Sequence, residues 1–304
     1  MHIVRFFRPE DGDQDVGVAV GDSVVALGLG SISRLLHLPL DELRTLCEKA
    51  EGREHRRSQV RFLPPVDGLM EVWAAGVTYR TSQLERMRES HQAASVYDLV
   101  YDAERPELFL KATAWRVVGD GEPIAIRDDS TTDVPEPELA LVVNNHGEII
   151  GYSVCDDVSS RSIEGENPLY LPQAKIYLGS CAVGFGIRPA WEVPDPRALE
   201  IRLSISRSSS IAWQGRASTS ELHRGLDEMV EYLLRANRFP DGVVLSTGTS
   251  LVPPLPFTLE AGDTVEIEID EVGSLTNSVV RGLHASEWLV ESMEDVRKRS
   301  GAQS

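Results

Sequence analysis

The sequence predicts an α+β fold dominated by mixed β-sheet, and three features carry that expectation. Leu139-Ala140-Leu141-Val142-Val143 and the run 149–154 flank Asn144-Asn145-His146-Gly147, which has the residues of a tight turn, so the segment predicts a β-hairpin. Val265, Ile267 and Ile269 alternate with Glu266, Glu268 and Asp270, the period of a half-buried strand with an acidic outer face. The chain also lacks a βαβ alternation, an internal repeat, a GxGxxG after a strand, and the GxxxxGK[ST], HExxH and GxSxG motifs. Nucleotide-fold, zincin and esterase-elbow readings therefore have no support.

The other elements follow in chain order. Up to Pro64-Pro65 the pattern is a small α/β unit, short strands and then one helix that begins near Asp41-Glu42-Leu43 and ends in Glu51-Gly52-Arg53-Glu54. The length of 304 residues predicts about two domains, placed at 1–68 and 69–304. From Val72 the signals are strands, interrupted over 80–90 by a segment rich in Arg and Glu that reads as a solvated helix. Residues 201–206 and 211–213 predict a second hairpin. Ser220 is then placed to cap a helix in which Leu222, Leu226, Met229, Val230, Leu233 and Leu234 recur at helical spacing.

Charge narrows the function classes. Thirty Lys and Arg against 48 Asp and Glu leave a net charge of −18, a field that repels nucleic acid and anionic membranes alike. No apolar run approaches the ~20 residues of a membrane span, and the first residues lack the pattern of a signal peptide, so a soluble protein of the cytoplasm is expected. Cys47, Cys155 and Cys181 are an odd number without CxxC spacing and read as small buried hydrophobes.

Chemistry concentrates at Val134-Pro135-Glu136-Pro137-Glu138-Leu139. Alternate strand residues share a face, which sets Glu136 and Glu138 side by side, roughly 7 Å apart at Cα. Like charges held this closely need a cation between them. The prolines cannot donate to a ladder and point to an edge or a bulge. Across the hairpin, a turn near His146 returns Asp156 or Asp157 to the same end, and spacing alone does not choose between them. Three convergent carboxylates suit a hard cation such as Mg²⁺ or Mn²⁺.

Several separated motifs then carry a resemblance: Glu136-Pro137-Glu138-Leu139-Ala140, Gly151-Tyr152-Ser153-Val154-Cys155-Asp156-Asp157-Val158-Ser159-Ser160-Arg161, Lys175, Thr247-Gly248-Thr249, Gly262-Asp263, and Gly273 before Asn277. Their order over 72–280 resembles the fumarylacetoacetate hydrolase family. The resemblance implies a mixed β-sheet roll of that family's C-terminal type, with Glu136, Glu138 and Asp157 as ligands of Mg²⁺ (Mn²⁺ or Ca²⁺ as substitutes) and Lys175 as the catalytic lysine. It also implies a homodimer or homotetramer. The stretches 100–113 and 166–177 resemble the branch that dehydrates 2-keto-3-deoxy sugar acids. The family's carbon-carbon hydrolases carry N-Y-x-x-H-x-x-E, matched here by Thr78-Tyr79-Arg80-Thr81-Ser82-Gln83-Leu84-Glu85, and Ser82 cannot accept a proton as the histidine would.

The expected reaction converts 2-keto-3-deoxy-pentonate to 2,5-dioxopentanoate. Lys175 would remove a C3 proton, its amine pushed below the usual ~10.4 by a nearby cation and burial. Glu107 is the candidate donor to the departing C4 hydroxyl. Thr247, Gly248 and Thr249 would hold the substrate carboxylate, with Thr78, Tyr79 and Arg116 as further contacts. The rivals are an acylpyruvate-type hydrolase or a decarboxylase of the same family, and a divalent-ion-binding sheet protein without catalysis.

Overall fold

The computed structural model describes residues 1–81 and 99–299. Among these, the strands form a twelve-stranded sheet, a five-stranded sheet and a two-stranded ribbon, with few helices. The first hairpin is Pro137–Val143 paired with Ile149–Asp157, in the register Pro137↔Asp156 and Glu138↔Cys155. The first strand lacks polar alternation beyond Glu138 because both its faces are covered. Leu139, Leu141 and Val143 join one core cluster, Ala140 and Val142 another.

That strand is interior to the sheet, so of the two places the prolines pointed to, an edge or a bulge, the edge is not the one found. Val243–Ser246 lies on its other side, but this pairing starts only at Ala140↔Ser246. Pro137 opens the strand before the second ladder begins, so its missing N–H costs the sheet nothing there. Val243–Ser246 pairs in parallel with Glu71–Gly76, and Glu71–Gly76 pairs antiparallel with Glu107–Thr113. One rim of the sheet thus gathers the ends of Glu71–Gly76, Ile149–Asp157 and Val243–Ser246 with the starts of Pro137–Val143 and Glu107–Thr113.

The N-terminal strands enter this same sheet, since His2–Phe7 pairs with Gly186–Pro189 through Ile3↔Ile187. The helix Leu40–Glu48 packs Leu43 and Cys47 into the cluster that holds Ile3, Val72 and Val142. All three cysteines are buried and free.

The five-stranded sheet contains the second hairpin, Glu200–Arg207 with Ser210–Ser218, and the alternating strand Thr264–Ile269. Val265, Ile267 and Ile269 are buried in the same core cluster as Leu139, Leu141 and Val143 of the larger sheet, and Glu266 and Glu268 face out. The helix beyond it spans Leu226–Leu234, shorter than the 220-onward helix expected from periodicity. Its start is Gly225, whose amide donates to the Glu228 carboxylate at 3.1 Å. Ser220 stays outside, its amide donating to Ser218 Oγ, because Leu222 bridges to Tyr79 and the His223 amide donates to the Thr78 carbonyl at 2.9 Å. Tertiary pairing wins over local spacing here. Met229, Val230 and Leu233 still bury the predicted face, about 1.5–3 kcal/mol each. The segment expected as a solvated helix lies mostly in 82–98, outside the described residues, and so do Ser82 and Glu85.

Candidate active site

At the rim, alternation puts Glu136 and Glu138 on one face, and the hairpin register resolves which aspartate joins them. Asp157 is two residues from Cys155, the partner of Glu138, and so shares that face. Asp156 points the other way and accepts from the Glu136 amide at 2.9 Å; burial pushes its carboxyl up to about 7. Ligand atoms of Glu136, Glu138 and Asp157 all lie within 4.8 Å of one another, and the three residues are at most 2% exposed. No other group of three such side chains occurs among the described residues.

Each carboxylate has its own support. Arg161 lies 3.0 Å from Glu136 Oε1, Lys111 Nζ lies 2.5 Å from Asp157 Oδ1, and Glu138 Oε2 accepts from Ser246 Oγ at 2.5 Å and the Gly248 amide at 2.8 Å. Lys175 Nζ reaches into the centre, donating to Glu136 Oε2 at 2.9 Å, Asp157 Oδ2 at 3.1 Å and Ser159 Oγ at 2.5 Å. Three carboxylates are matched by three buried cations, which is how so much charge survives out of water. Burial, with the charges of Asp157 and Glu136, pushes the Glu138 carboxyl up to about 8.

The predicted substrate contacts divide. Thr78, Thr247, Gly248 and Thr249 come together beside Glu138, with Gly248 and Thr249 lining the same small cavity as the three carboxylates. Gly248 is at φ 88°, and a Cβ there would fall 2.1 Å from Thr78 Oγ1, so only glycine allows the turn to approach. The Thr247 hydroxyl is already committed to the Leu139 carbonyl at 2.8 Å, and Thr78 Oγ1 donates to the Thr247 carbonyl at 2.7 Å. Tyr79 is fully buried, and that burial raises its phenol pKa. Glu107 stands across Gly76, which lines the cavity: a Cβ on Gly76 would meet Glu107 Oε2 at 2.0 Å. Arg116 is placed elsewhere, just beyond the far end of Glu107–Thr113, with its guanidinium 4.9 Å from the Trp115 ring. Val77, also lining the cavity, holds φ 53°, a strained conformation for a β-branched residue of the kind that clusters at functional sites.

Lys111, Arg161, Ser159 and Ser246 were not singled out from the sequence. Lys111 did leave a signal, a lone charge in the apolar run Leu108-Phe109-Leu110-Lys111-Ala112. A roomier groove on the outer face of the five-stranded sheet is lined instead by exposed ion pairs, among them Arg202 with Glu268, which solvent screens.

Hard oxygen donors in a buried, negatively charged triad fit a divalent cation, with further positions left for a chelating acid. Binding one must strip the proton from Glu138. In metal-free protein, ionising this group becomes unfavourable between its ordinary 4.5 and about 8, so stability should fall as pH rises through that window. Apparent metal affinity should fall about tenfold per unit as pH drops below ~8, with about one proton released per ion. Calorimetric titration in buffers of different ionisation enthalpy measures that proton; affinity flat from pH 6 to 8.5 would contradict it.

The fold and this triad place the chain in a family. The model of the fumarylacetoacetate (FAA) hydrolase C-terminal domain matches residues 71–280, and the protein belongs to that family. Among its relatives is the probable 2-keto-3-deoxyxylonate dehydratase of Haloferax volcanii, 51% identical over 215 residues that cover 71% of this chain and 73% of the relative. The 2-dehydro-3-deoxy-D-arabinonate dehydratase of Saccharolobus solfataricus is 44% identical over 268 residues, 81% of this chain and 89% of the relative. A solved structure of 2-keto-3-deoxy-D-arabinonate dehydratase complexed with magnesium and 2,5-dioxopentanoate superposes with a TM-score of 0.78 at 35% identity, covering 92% of this chain and 99% of that one. No helix of the described residues is long and apolar enough to cross a membrane.

Proposed function

We propose that this protein is a Mg²⁺-dependent dehydratase that converts a 2-keto-3-deoxy-pentonate to 2,5-dioxopentanoate. The observation that carries this reading is the buried Lys175 amine in hydrogen-bond contact with two carboxylates of the triad, a base set beside a hard-cation site. Relatives named as dehydratases of such acids support the choice of substrate. Glu136, Glu138 and Asp157 would hold the ion. When bound, it supplies an electrophile for the oxygens of the 2-keto acid, which acidifies the C3 protons.

The chain's own residues do the rest. Lys175 Nζ, a cation while it donates to Glu136 and Asp157, would give up a proton when these carboxylates turn to the ion, and in its neutral form it accepts one from C3, the pair of electrons left on carbon entering the enolate. Glu107, beside Gly76 of the cavity wall, would give a proton to the C4 hydroxyl as the C4–O bond breaks, and water leaves. Moving a proton from C5 to C3 leaves an enol across C4 and C5, which gains a proton at C4 as its hydroxyl loses one and so becomes the aldehyde. The Gly248 amide holds Glu138, and the turn at Thr247, Gly248 and Thr249 closes the side where the acid's carboxylate would lie. Arg116 is given no part in this scheme. A homodimer or homotetramer is proposed on the family resemblance alone, and light scattering would count the subunits.

The test is purified protein with Mg²⁺ against a panel of 2-keto-3-deoxy-pentonates and acylpyruvates. The expected result is 2,5-dioxopentanoate from a pentonate, stopped by chelator and restored by Mg²⁺. Pyruvate released rapidly from an acylpyruvate, with no dehydration of any pentonate, would make it a hydrolase.

A further inference from the structure

We propose that Lys111 is a positioning residue for the metal centre, fixing the orientation of Asp157 and tying it to the backbone at Lys175. The proposal rests on the metal-dependent reading above.

Lys111 sits at an irregularity in the sheet. Glu71–Gly76 and Glu107–Thr113 pair as Trp73↔Leu110 and then Val72↔Ala112, which leaves Lys111 as an extra residue without a partner across the ladder. Such a bulge turns a side chain away from regular alternation. Here the turned side chain is fully buried, and its ammonium donates to the Val158 carbonyl at 3.0 Å and the Lys175 carbonyl at 2.6 Å and forms an ion pair with Asp157 Oδ1 at 2.5 Å. A buried ammonium is costly unless paired, so this geometry is specified rather than incidental. With Oδ1 held from outside, Oδ2 is the oxygen left toward Lys175 and the triad. Arg161 does the same for Glu136, and Ser246 with Gly248 for Glu138.

A simple counter-charge would act in the opposite sense. Removing a cation 2.5 Å from a ligand strengthens the field that attracts a divalent ion, whereas removing a support weakens binding. Mn²⁺ titration of the whole protein followed by electron paramagnetic resonance, without substrate, separates the two. Lys111→Met should bind Mn²⁺ at least about tenfold more weakly than wild type. In an Asp157→Asn background the same change should matter less than about twofold, because the residue acts through that carboxylate. Lys111→Gln, which keeps a donor for the two carbonyls but not the charge, is the second variant should methionine fail to fold.

Unchanged or tighter Mn²⁺ binding in a folded variant would overturn the assignment. So would an equal loss in both backgrounds, or loss of fold in both Lys111 variants, since either makes the residue a matter of stability. A wild-type protein that binds no Mn²⁺ would instead bring down the metal-dependent reading itself, and this inference with it.

Discussion

Glu138→Gln should bind Mg²⁺ at least about a hundredfold more weakly than wild type and lose dehydration with it. Removing a residue that merely orients a ligand already costs ~10–100-fold in affinity, and here a ligand itself is lost. The amide keeps the carboxylate's size and can still meet Ser246 Oγ, so the space at the rim stays filled. Stability should respond in the opposite direction to metal binding. The wild-type carboxyl, pushed up to about 8, is the one whose ionisation the metal-free fold resists. At pH 8 metal-free Glu138→Gln should therefore melt no lower than wild type. Calorimetric Mg²⁺ titration and thermal unfolding measure the two effects on one preparation. Wild-type affinity in the variant would remove Glu138 from the ligand set.

Lys175→Met should stop proton abstraction while leaving the metal in place. Pyruvate is the discriminating probe, having C3 protons but no C4 leaving group. In deuterium oxide with Mg²⁺, the wild-type protein should exchange its methyl protons, and Lys175→Met should do so at least about a hundredfold more slowly, the lower range of a general-base contribution. Metal should bind at least as tightly in the variant, because the amine that occupies Glu136 Oε2 and Asp157 Oδ2 is gone. This sign is the reverse of the one expected at Lys111, although both lysines touch Asp157. Proton NMR reads the exchange. Exchange near the wild-type rate, with metal and pyruvate bound, would move the base to Glu107.

What the sequence made legible follows the range of each interaction. The hairpin and the convergence of Glu136 and Glu138 with the end of its second strand are consequences of period-two alternation and a short turn, both written within some twenty residues. The choice of Asp157 over Asp156 needed either the actual register or a likeness to relatives. Lys111 was hidden because its role depends on a bulge and on contact with a strand far along the chain. Ser246 and Arg161 were hidden similarly, as ordinary polar residues until the parallel strand and the following helix bring them to the rim. Ser220 misled for a complementary reason: it begins a sound helical pattern, but Leu222 and His223 are taken by Tyr79 and Thr78.

The parallel ladder that seats Ser246 beside Ala74 has a consequence for how the molecule comes into being. The two strands are separated by most of the chain, and loop-closure entropy must be met before their contact stabilises anything. During synthesis, Glu136, Glu138 and Asp157 emerge long before Ser246 and Gly248, as acidic residues on a hairpin of an unfinished sheet, with neither the Ser246 hydroxyl nor the Gly248 amide to hold Glu138. The ion site is thus completed only when the sheet is, and a cation that binds it recognises the finished molecule and not its precursors. Its stabilisation then falls on the native side of the folding barrier, where it slows unfolding and leaves the rate of folding unchanged.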